Sequence, residues 1–298
     1  YFKDSPWWIE CRKEFKKIFI NNDGSLNQNE FVNFRNSKQT KAALLADQNF
    51  LKGEVDTRIN KFKSLSLINL FHKLSEIVDV NVLRASSESY SGNSLCLNYR
   101  GQRLNHRILR YAYYTSQILN NTNFSSKAKT IILDLGGGYG GLSRMLYNHL
   151  NNTIPIIIEI PEVCAFAHYF LKNNYPDKKI GTFKDFLNLE KIDDTQIMNY
   201  DFVILPQTCI EKINDKIIDL SINTTSLGEM SNEVQDYYIS QLERITKKYL
   251  YSVNRAKTRK DKYDAKGFYD LNFKSRWKSI IYKFSHTYHI EFLGKKND

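Results

Sequence analysis

A carboxylate stands two residues before a glycine-rich turn, within residues 134–141, and these residue types at this spacing could hold a charged ligand. Five of the six residues from 136 to 141 are glycine. Glycine is needed where the backbone takes a positive φ or must lie flat against a ligand. Backbone NH groups at the start of a following helix would point at whatever lies over the turn. The stretch therefore predicts a ligand-binding turn.

The residues on either side of the turn predict the elements that would position it. Residues 131–135 form an apolar run typical of a buried parallel strand. After the turn, Leu142, Met145, Leu146 and Leu150 recur at helical spacing. The unit is thus a strand, a glycine turn and a helix.

Two classes of ligand use such a unit, and the sequence matches the motif of each. The dinucleotide motif G-x-G-x-x-G is matched by Gly136, Gly138 and Gly141. The first motif of class I methyltransferases that use S-adenosylmethionine (SAM), D-x-G-x-G-x-G, is matched by Asp134, Gly136, Gly138 and Gly140. The Asp134 carboxylate would repel a pyrophosphate at the helix N-terminus, whereas it suits the ammonium group of SAM. We therefore expect SAM. A turn without a ligand is disfavoured because five glycines would weaken it.

Strands and helices alternate from the glycine turn to the C-terminus. Further parallel strands are predicted at 154–159, 201–206, 217–223 and 249–253, followed by an antiparallel hairpin at 280–284 and 288–293. A short extra strand is expected at 180–183. Five parallel strands and a hairpin predict an α/β fold with the Rossmann-like seven-stranded sheet of class I methyltransferases. A nicotinamide dehydrogenase would more often continue to a sixth parallel strand.

The first part of the chain has a different pattern. Residues 1–125 carry apolar residues at helical spacing and show no alternation of strands and helices before residue 130. We expect a helical accessory domain over 1–125 that contributes to substrate binding. The SAM-binding methyltransferase domain is expected over 126–298.

Composition limits the compartment and the partners. The chain has 298 residues and a net charge of +11, without an apolar run long enough to span a membrane. Its four cysteines are far apart, which favours a reducing cytoplasm over a disulfide framework or a zinc site. We expect no metal centre and no specific nucleic-acid partner. Peripheral membrane association and the oligomeric state stay open, and a chain starting at Tyr1 is compatible with a fragment of a longer protein.

Several residues are candidates for binding the cofactor. Asp134 and the turn glycines are expected at the methionine end of SAM, where Tyr139 either lies over the cofactor or packs on the N-terminal domain. Glu159 follows Asp134 by 25 residues, near the roughly 20-residue interval at which an acid binds ribose hydroxyls. Pro206, Gln207 and Thr208 follow the third strand, where class I methyltransferases place the adenine.

Four stretches together resemble one family, the bacterial sugar O-methyltransferases. They are Leu-Asp-Leu-Gly-Gly-Gly-Tyr-Gly-Gly at 133–141, Glu-Ile-Pro-Glu-Val at 159–163, Ile-Asn-Thr-Thr-Ser-Leu-Gly-Glu-Met at 222–230 and Ser-Val-Asn-Arg at 252–255. The resemblance covers about residues 100–295, and Glu159 stands where the family more often has Asp. It implies SAM-dependent methylation of a sugar hydroxyl, in the biosynthesis of surface polysaccharide or nucleotide sugars.

Methylation of a hydroxyl needs alignment and a base. A sugar hydroxyl has a high pKa, so a base must take its proton as the new bond forms, which contributes roughly 10²–10⁴ to the rate. Candidate catalytic residues are Glu229, His106 and Asn223, which ends the fourth strand. The alternative for Glu229 is a cap on the next helix. Arg107 and Arg110 could hold the SAM carboxylate or an anionic substrate, or they could form a solvated helix face.

Two other functions remain open at the level of sequence. The positive charge is compatible with an RNA or protein methyltransferase, although no N/D-P-P-Y/F tetrad follows the fourth strand. A catalytically silent SAM-binding partner of a glycan-assembly protein is the other alternative. The acceptor is expected to be a sugar or glycan and to be anionic if it meets the basic segment 255–278. We expect that segment to border the acceptor cleft, with Arg255, Arg259 and Arg276 as contacts.

Overall fold

An eight-stranded, mostly parallel sheet lies at the centre of the protein. The structure is a computed structural model that describes residues 6–36, 57–124, 128–257, 265–271, 273, 276–285 and 288–297. Its sheet consists of β3 (Thr130–Leu135), β4 (Thr153–Glu159), β5 (Ile180–Thr182), β6 (Phe202–Pro206), β7 (Ile218–Thr224), β8 (Thr246–Arg255), β9 (Trp277–Phe284) and β10 (His289–Lys296). A separate hairpin pairs β1 (Leu97–Tyr99) with β2 (Gln102–Leu104).

The order of the strands confirms the predicted fold class. The sheet runs β5-β6-β4-β3-β7-β8-β10-β9, and β10 is antiparallel to both of its neighbours. Without the short edge strand β5, this is the third-second-first-fourth-fifth-seventh-sixth order of the class I methyltransferase sheet. The extra strand expected at 180–183 is β5. The hairpin strands are longer than predicted because Lys278 and Ser279 interrupt the apolar pattern of β9 and because β10 ends in Lys295 and Lys296, which do not extend an apolar run.

Helices cover both faces of the sheet. The described helices are α1 (Pro6–Phe19), α2 (Gln28–Val32), α3 (Thr57–Leu74), α4 (Val80–Ala85), α5 (His106–Asn121), α6 (Gly141–His149), α7 (Pro161–Asn174), α8 (Asp194–Ile197) and α9 (Asn232–Ile245). On one face, α5 and α6 share a core with Ile132 and Leu220, and α7 shares one with Ile157. On the other face, α9 packs against Leu133 and Leu250. Ile132 and Leu133 thus point to opposite faces, because successive side chains of a strand alternate between the two faces of its sheet.

The N-terminal region packs directly on these helices. Phe166 of α7 is surrounded by the rings of Phe15, Phe19, Phe31 and Phe34, with centroids 4.7–6.0 Å away. Helices α3 and α4 share a core with α5. The β1–β2 hairpin was not predicted within this region, which was expected to be mostly helical, because strands of three residues leave no alternating pattern to detect. The division at residue 125 stays a prediction.

No helix in the described ranges is both long enough and apolar enough to cross a bilayer.

Candidate cofactor and active site

The glycine turn connects β3 to α6 at the carboxyl edge of the sheet. Gly136, Gly138 and Gly140 have φ values of +71°, +59° and +86°, a region that only glycine adopts without strain. The Gly136 amide donates to the Ile158 carbonyl of β4 at 2.9 Å. A Cβ atom built on Gly138 would meet no atom within 4 Å. Gly138 therefore presents bare backbone to open space, as a turn that receives a ligand requires.

Asp134 lies under this turn and is 1% exposed. Its Oδ2 accepts a hydrogen bond from Ser143 Oγ of α6 at 3.0 Å, whereas its buried Oδ1 has no hydrogen-bond partner among the described residues. Burial raises the pKa of Asp134 to about 7, the Ser143 hydroxyl opposes this rise, and the nearby Glu159 adds to it. A buried carboxylate with one oxygen unpaired fits a cationic hydrogen-bond donor.

Glu159 ends β4 next to the turn and is partly exposed. Its Oε1 accepts from the Gly138 amide and its Oε2 from the Ile160 amide, both at 2.9 Å. Burial raises the pKa of Glu159 to about 7, and the two backbone donors oppose the rise. The two amides fix the plane of the carboxylate, and each oxygen keeps a second lone pair. The side chain can thus accept from two adjacent hydroxyls.

The segment after β6 lies beside Glu159. In the parallel pairing of β4 with β6, Glu159 is opposite Pro206. Pro206 and Gln207 are partly exposed and Thr208 is exposed at the start of a 3-10 helix. The structure therefore brings the predicted cofactor residues Asp134, Glu159, Pro206 and Gln207 to one edge, together with the turn.

Tyr139 is placed differently from the expectation that it lies over the cofactor. Its side chain is 1% exposed and packs edge-on against Phe170 and Phe34, with ring centroids 4.7 and 5.9 Å apart. The guanidinium of Arg35 lies 4.3 Å from the ring centroid. The ring points from the turn into the N-terminal region, which is the second of the two interpretations, because aromatic partners are available there.

Asn223 was expected to face the reacting centre, and the structure shows it fully buried. Its amide nitrogen donates to the Leu135 carbonyl at 2.9 Å and to the Ser226 hydroxyl. Its carbonyl oxygen accepts from Asn254 Nδ2 at 2.8 Å. Both ends of the amide thus connect β7 to the neighbouring strands β3 and β8, and Asn223 holds the sheet edge together.

The two candidate bases lie at different places on the edge. Glu229 is partly exposed in a 3-10 helix, Leu227–Glu229, that follows β7. It precedes Ser231, the N-cap residue of α9. His106 is the partly exposed first residue of α5, and its neighbour Arg107 lies 5.7 Å from the Tyr139 centroid. This end of α5 therefore reaches the rear of the glycine turn, which is the side where the Tyr139 ring packs on the N-terminal region.

The predicted arginine contacts separate in the structure. Arg255 ends β8 at the carboxyl edge, opposite His289. Strand β9 runs in the direction of β8, so Arg276, which precedes it, lies at the opposite edge, where it pairs with Glu243 at 2.7 Å. The prediction that Arg276 borders the same cleft is wrong, because β8 ends and β9 begins at opposite edges of the sheet. Arg259 lies outside the described residues.

Sequence reasoning missed several polar residues of the site. The Ser143 hydroxyl donates to Asp134, and the Ser226 hydroxyl donates to the Leu135 carbonyl. The side-chain amide of Asn254 donates to Asn223. Ser143 is the third residue of α6, where a side chain faces back towards the end of β3. Its position in the sequence could therefore have indicated a contact with Asp134. The other two stand inside the stretches 222–230 and 252–255 that carry the family resemblance.

Comparisons with known proteins add a set of partial structural likenesses. A scan against models of protein families gives no match, and neither does a search of curated protein sequences. Among solved structures, the mitomycin 7-O-methyltransferase MmcR is similar, with 14% identity, a TM-score of 0.43 and coverage of 64% of this chain and 57% of that one. Magnesium protoporphyrin IX methyltransferase from Synechocystis PCC 6803 with bound SAM is also similar, with 12% identity and a TM-score of 0.45 over 63% of this chain and 78% of that one. Human N-acetylserotonin methyltransferase in complex with SAM has 12% identity and a TM-score of 0.39 over 87% of this chain and 73% of that one. The fold assignment rests on the strand order.

Proposed function

We propose that the protein is a SAM-dependent O-methyltransferase whose acceptor is a sugar hydroxyl. The observation that carries this proposal is the buried Asp134 carboxylate under a glycine turn whose Gly138 backbone is open; the Oδ1 of that carboxylate has no hydrogen-bond partner within the described part of the chain. A pyrophosphate ligand would be repelled by that carboxylate. A ligand with an ammonium group would pair with it.

The residues of the edge fit SAM in three places. Asp134 would accept from the ammonium group, Glu159 from the ribose hydroxyls, and Pro206 with Gln207 would border the adenine. SAM supplies a methyl group activated on a sulfonium. The chain contributes binding and alignment, which are the main requirements of an in-line displacement.

A base completes the proposed site. Glu229 and His106 are the candidates, since both are partly exposed at the end of an element near the turn. Asn223 contributes by holding the strand end from which the Glu229 segment departs. A base that takes the acceptor proton contributes roughly 10²–10⁴. Comparing Glu229→Gln with His106→Asn by kcat at saturating substrates would identify it.

The sugar acceptor is supported by the motif resemblance, and the charge of the chain bears only on whether that acceptor is anionic. A net charge of +11 favours an anionic glycan or nucleotide sugar over a neutral one. We place the reaction in the cytoplasm, in polysaccharide or nucleotide-sugar biosynthesis, without a nucleic-acid partner.

Calorimetry tests whether the protein binds the proposed cofactor. The purified protein should bind SAM and S-adenosylhomocysteine but not NAD, and Asp134→Asn should remove the binding. Binding of NAD alone would contradict the proposal. Tight SAM binding without turnover on a panel of sugar nucleotides and oligosaccharides would instead indicate a silent partner, and turnover on RNA or protein would indicate the other alternative.

A further inference from the structure

We infer that Arg35 is a positioning residue that holds the glycine turn from its rear and thereby sets the affinity for the cofactor. The inference rests on the proposed function for the identity of that cofactor. Arg35 follows α2 in the N-terminal region and is not among the residues that the sequence connects to a site. The structure brings it to the turn through one aromatic ring.

The guanidinium of Arg35 lies between an acid and that ring. Arg35 is fully buried, and its Nη2 donates to Glu88 Oε2 at 2.7 Å. Its Cζ lies 4.3 Å from the centroid of Tyr139, well within the distance at which a cation is attracted to an aromatic face. Because the group is removed from water, this attraction is stronger than at a surface. Arg35 therefore fixes where the Tyr139 ring can lie.

The position of Tyr139 in turn restricts the turn itself. Tyr139 stands between Gly138 and Gly140, two glycines at positive φ that allow many other backbone conformations. The Gly138 amide donates to Glu159 Oε1 at 2.9 Å, so the orientation of that peptide also orients the acid expected at the ribose. A ring anchored to Arg35 thus selects one turn conformation and one carboxylate plane before the cofactor arrives.

A buried ion pair does not by itself argue for stability. Replacing such a pair by apolar groups of similar volume is often neutral or stabilising, although removing one partner alone is costly. The test must therefore remove both charges together, so that no unpaired charge remains buried. Arg35→Met with Glu88→Gln does this, and the glutamine oxygen can still accept from Asn105 Nδ2, which lies 3.3 Å from Glu88 Oε2.

The chain offers a matched control on the same N-terminal segment. Arg12 of α1 donates to Glu162 Oε1 of α7 at 2.8 Å, in a partly exposed ion pair. This contact attaches the segment to α7 and does not involve the turn. Arg12→Gln therefore loosens the segment without altering the environment of Tyr139.

Calorimetry with S-adenosylhomocysteine and steady-state kinetics are the first measurements. The double variant should bind S-adenosylhomocysteine at least fivefold more weakly than the wild type, and its KM for SAM should rise while kcat at saturating SAM stays within about twofold. Arg12→Gln should bind as the wild type does. Arg35→Lys keeps the charge but loses the flat guanidinium, and should fall between the two. Unchanged affinity of the double variant would overturn the inference, as would equal weakening by Arg12→Gln.

Hydrogen exchange without any cofactor separates this inference from the proposed function. Peptides covering residues 136–144 should exchange faster in the double variant than in Arg12→Gln, while peptides of β7 and α9 exchange equally in both. Equal protection of the turn in the two variants would overturn the role of Arg35. A wild type that fails to bind SAM would overturn the proposed cofactor, and the exchange result would still decide whether Arg35 holds the turn.

Discussion

Asp134→Asn should stabilise the ligand-free protein at alkaline pH while removing its affinity for SAM. Burial raises the pKa of Asp134 from its ordinary value of 3.8 to about 7, so the folded state binds more protons than the unfolded state between these two values. The stability of the wild type therefore falls as the pH rises through this window and is constant above it. Asparagine does not titrate and can still accept from Ser143.

The magnitude follows from the size of the shift. Each pH unit between the two pKa values changes stability by about 1.4 kcal/mol, so the ionised Asp134 costs the wild type about 4 kcal/mol at pH 8 as an upper bound. Relaxation around the charge reduces this value, and we expect the variant to exceed the wild type by about 2–4 kcal/mol at pH 8. At pH 5 the advantage should be less than half of its value at pH 8, because most of the window between the two pKa values lies above pH 5.

Urea denaturation of both proteins at pH 5 and pH 8 measures this difference. Asp219→Asn is the control, since Asp219 is also nearly buried but accepts from the Ile131 amide at 3.1 Å and pairs with Lys248 at 3.3 Å. Its removal should lower stability at both pH values. An advantage of Asp134→Asn that is equal at pH 5 and pH 8 would refute the reasoning, as would a loss of stability at pH 8.

Three further outcomes are expected. Glu159→Ala should weaken SAM binding by about 1.5–3 kcal/mol, the range for hydrogen bonds to a charged group, and unchanged affinity in calorimetry would remove it from the site. SAM affinity should fall as the pH is lowered from 8 to 6, because the pKa values of Asp134 and Glu159 are both raised to about 7 and the ionised forms are the better acceptors; a flat profile would contradict this. Asn223→Ala should lower the free energy of unfolding by about 2–4 kcal/mol, since it leaves buried partners unpaired, yet change kcat by less than Glu229→Gln does.

The acids at the sheet edge were predictable because their signals are local. Asp134 and Glu159 each end an apolar run, and the carboxyl ends of parallel strands meet at one edge of the sheet. The glycines between them indicate positive φ values, which the structure has at Gly136, Gly138 and Gly140. The positions of the parallel strands followed from the alternation of elements, since each strand bears its own apolar run, whereas their order in the sheet came from the structure. The short strands β1 and β2 lay beyond that signal, as did the polar residues near the ends of β8, β9 and β10.

The direction of individual side chains was not predictable, because it depends on partners distant in sequence. The Tyr139 ring turns away from the edge towards Arg35 and Phe34, which precede it by about a hundred residues. The position of Arg276 depends on the direction of β9, which the order of the hairpin strands sets. No pattern within residues 255–278 contains that information.

Asn223 shows why a polar residue at a strand end does not by itself identify a reacting group. The carboxyl edge needs polar side chains for two purposes: some must face the ligand, and others must satisfy backbone groups where the ladder ends. The Leu135 carbonyl is such a group, since β3 stops there and the chain turns away at Gly136, and it accepts from both Asn223 and Ser226. An asparagine can donate to one strand and accept from another, which suits this second purpose better than proton transfer. A partly exposed carboxylate such as Glu229, one short helix further along, is better suited to the first.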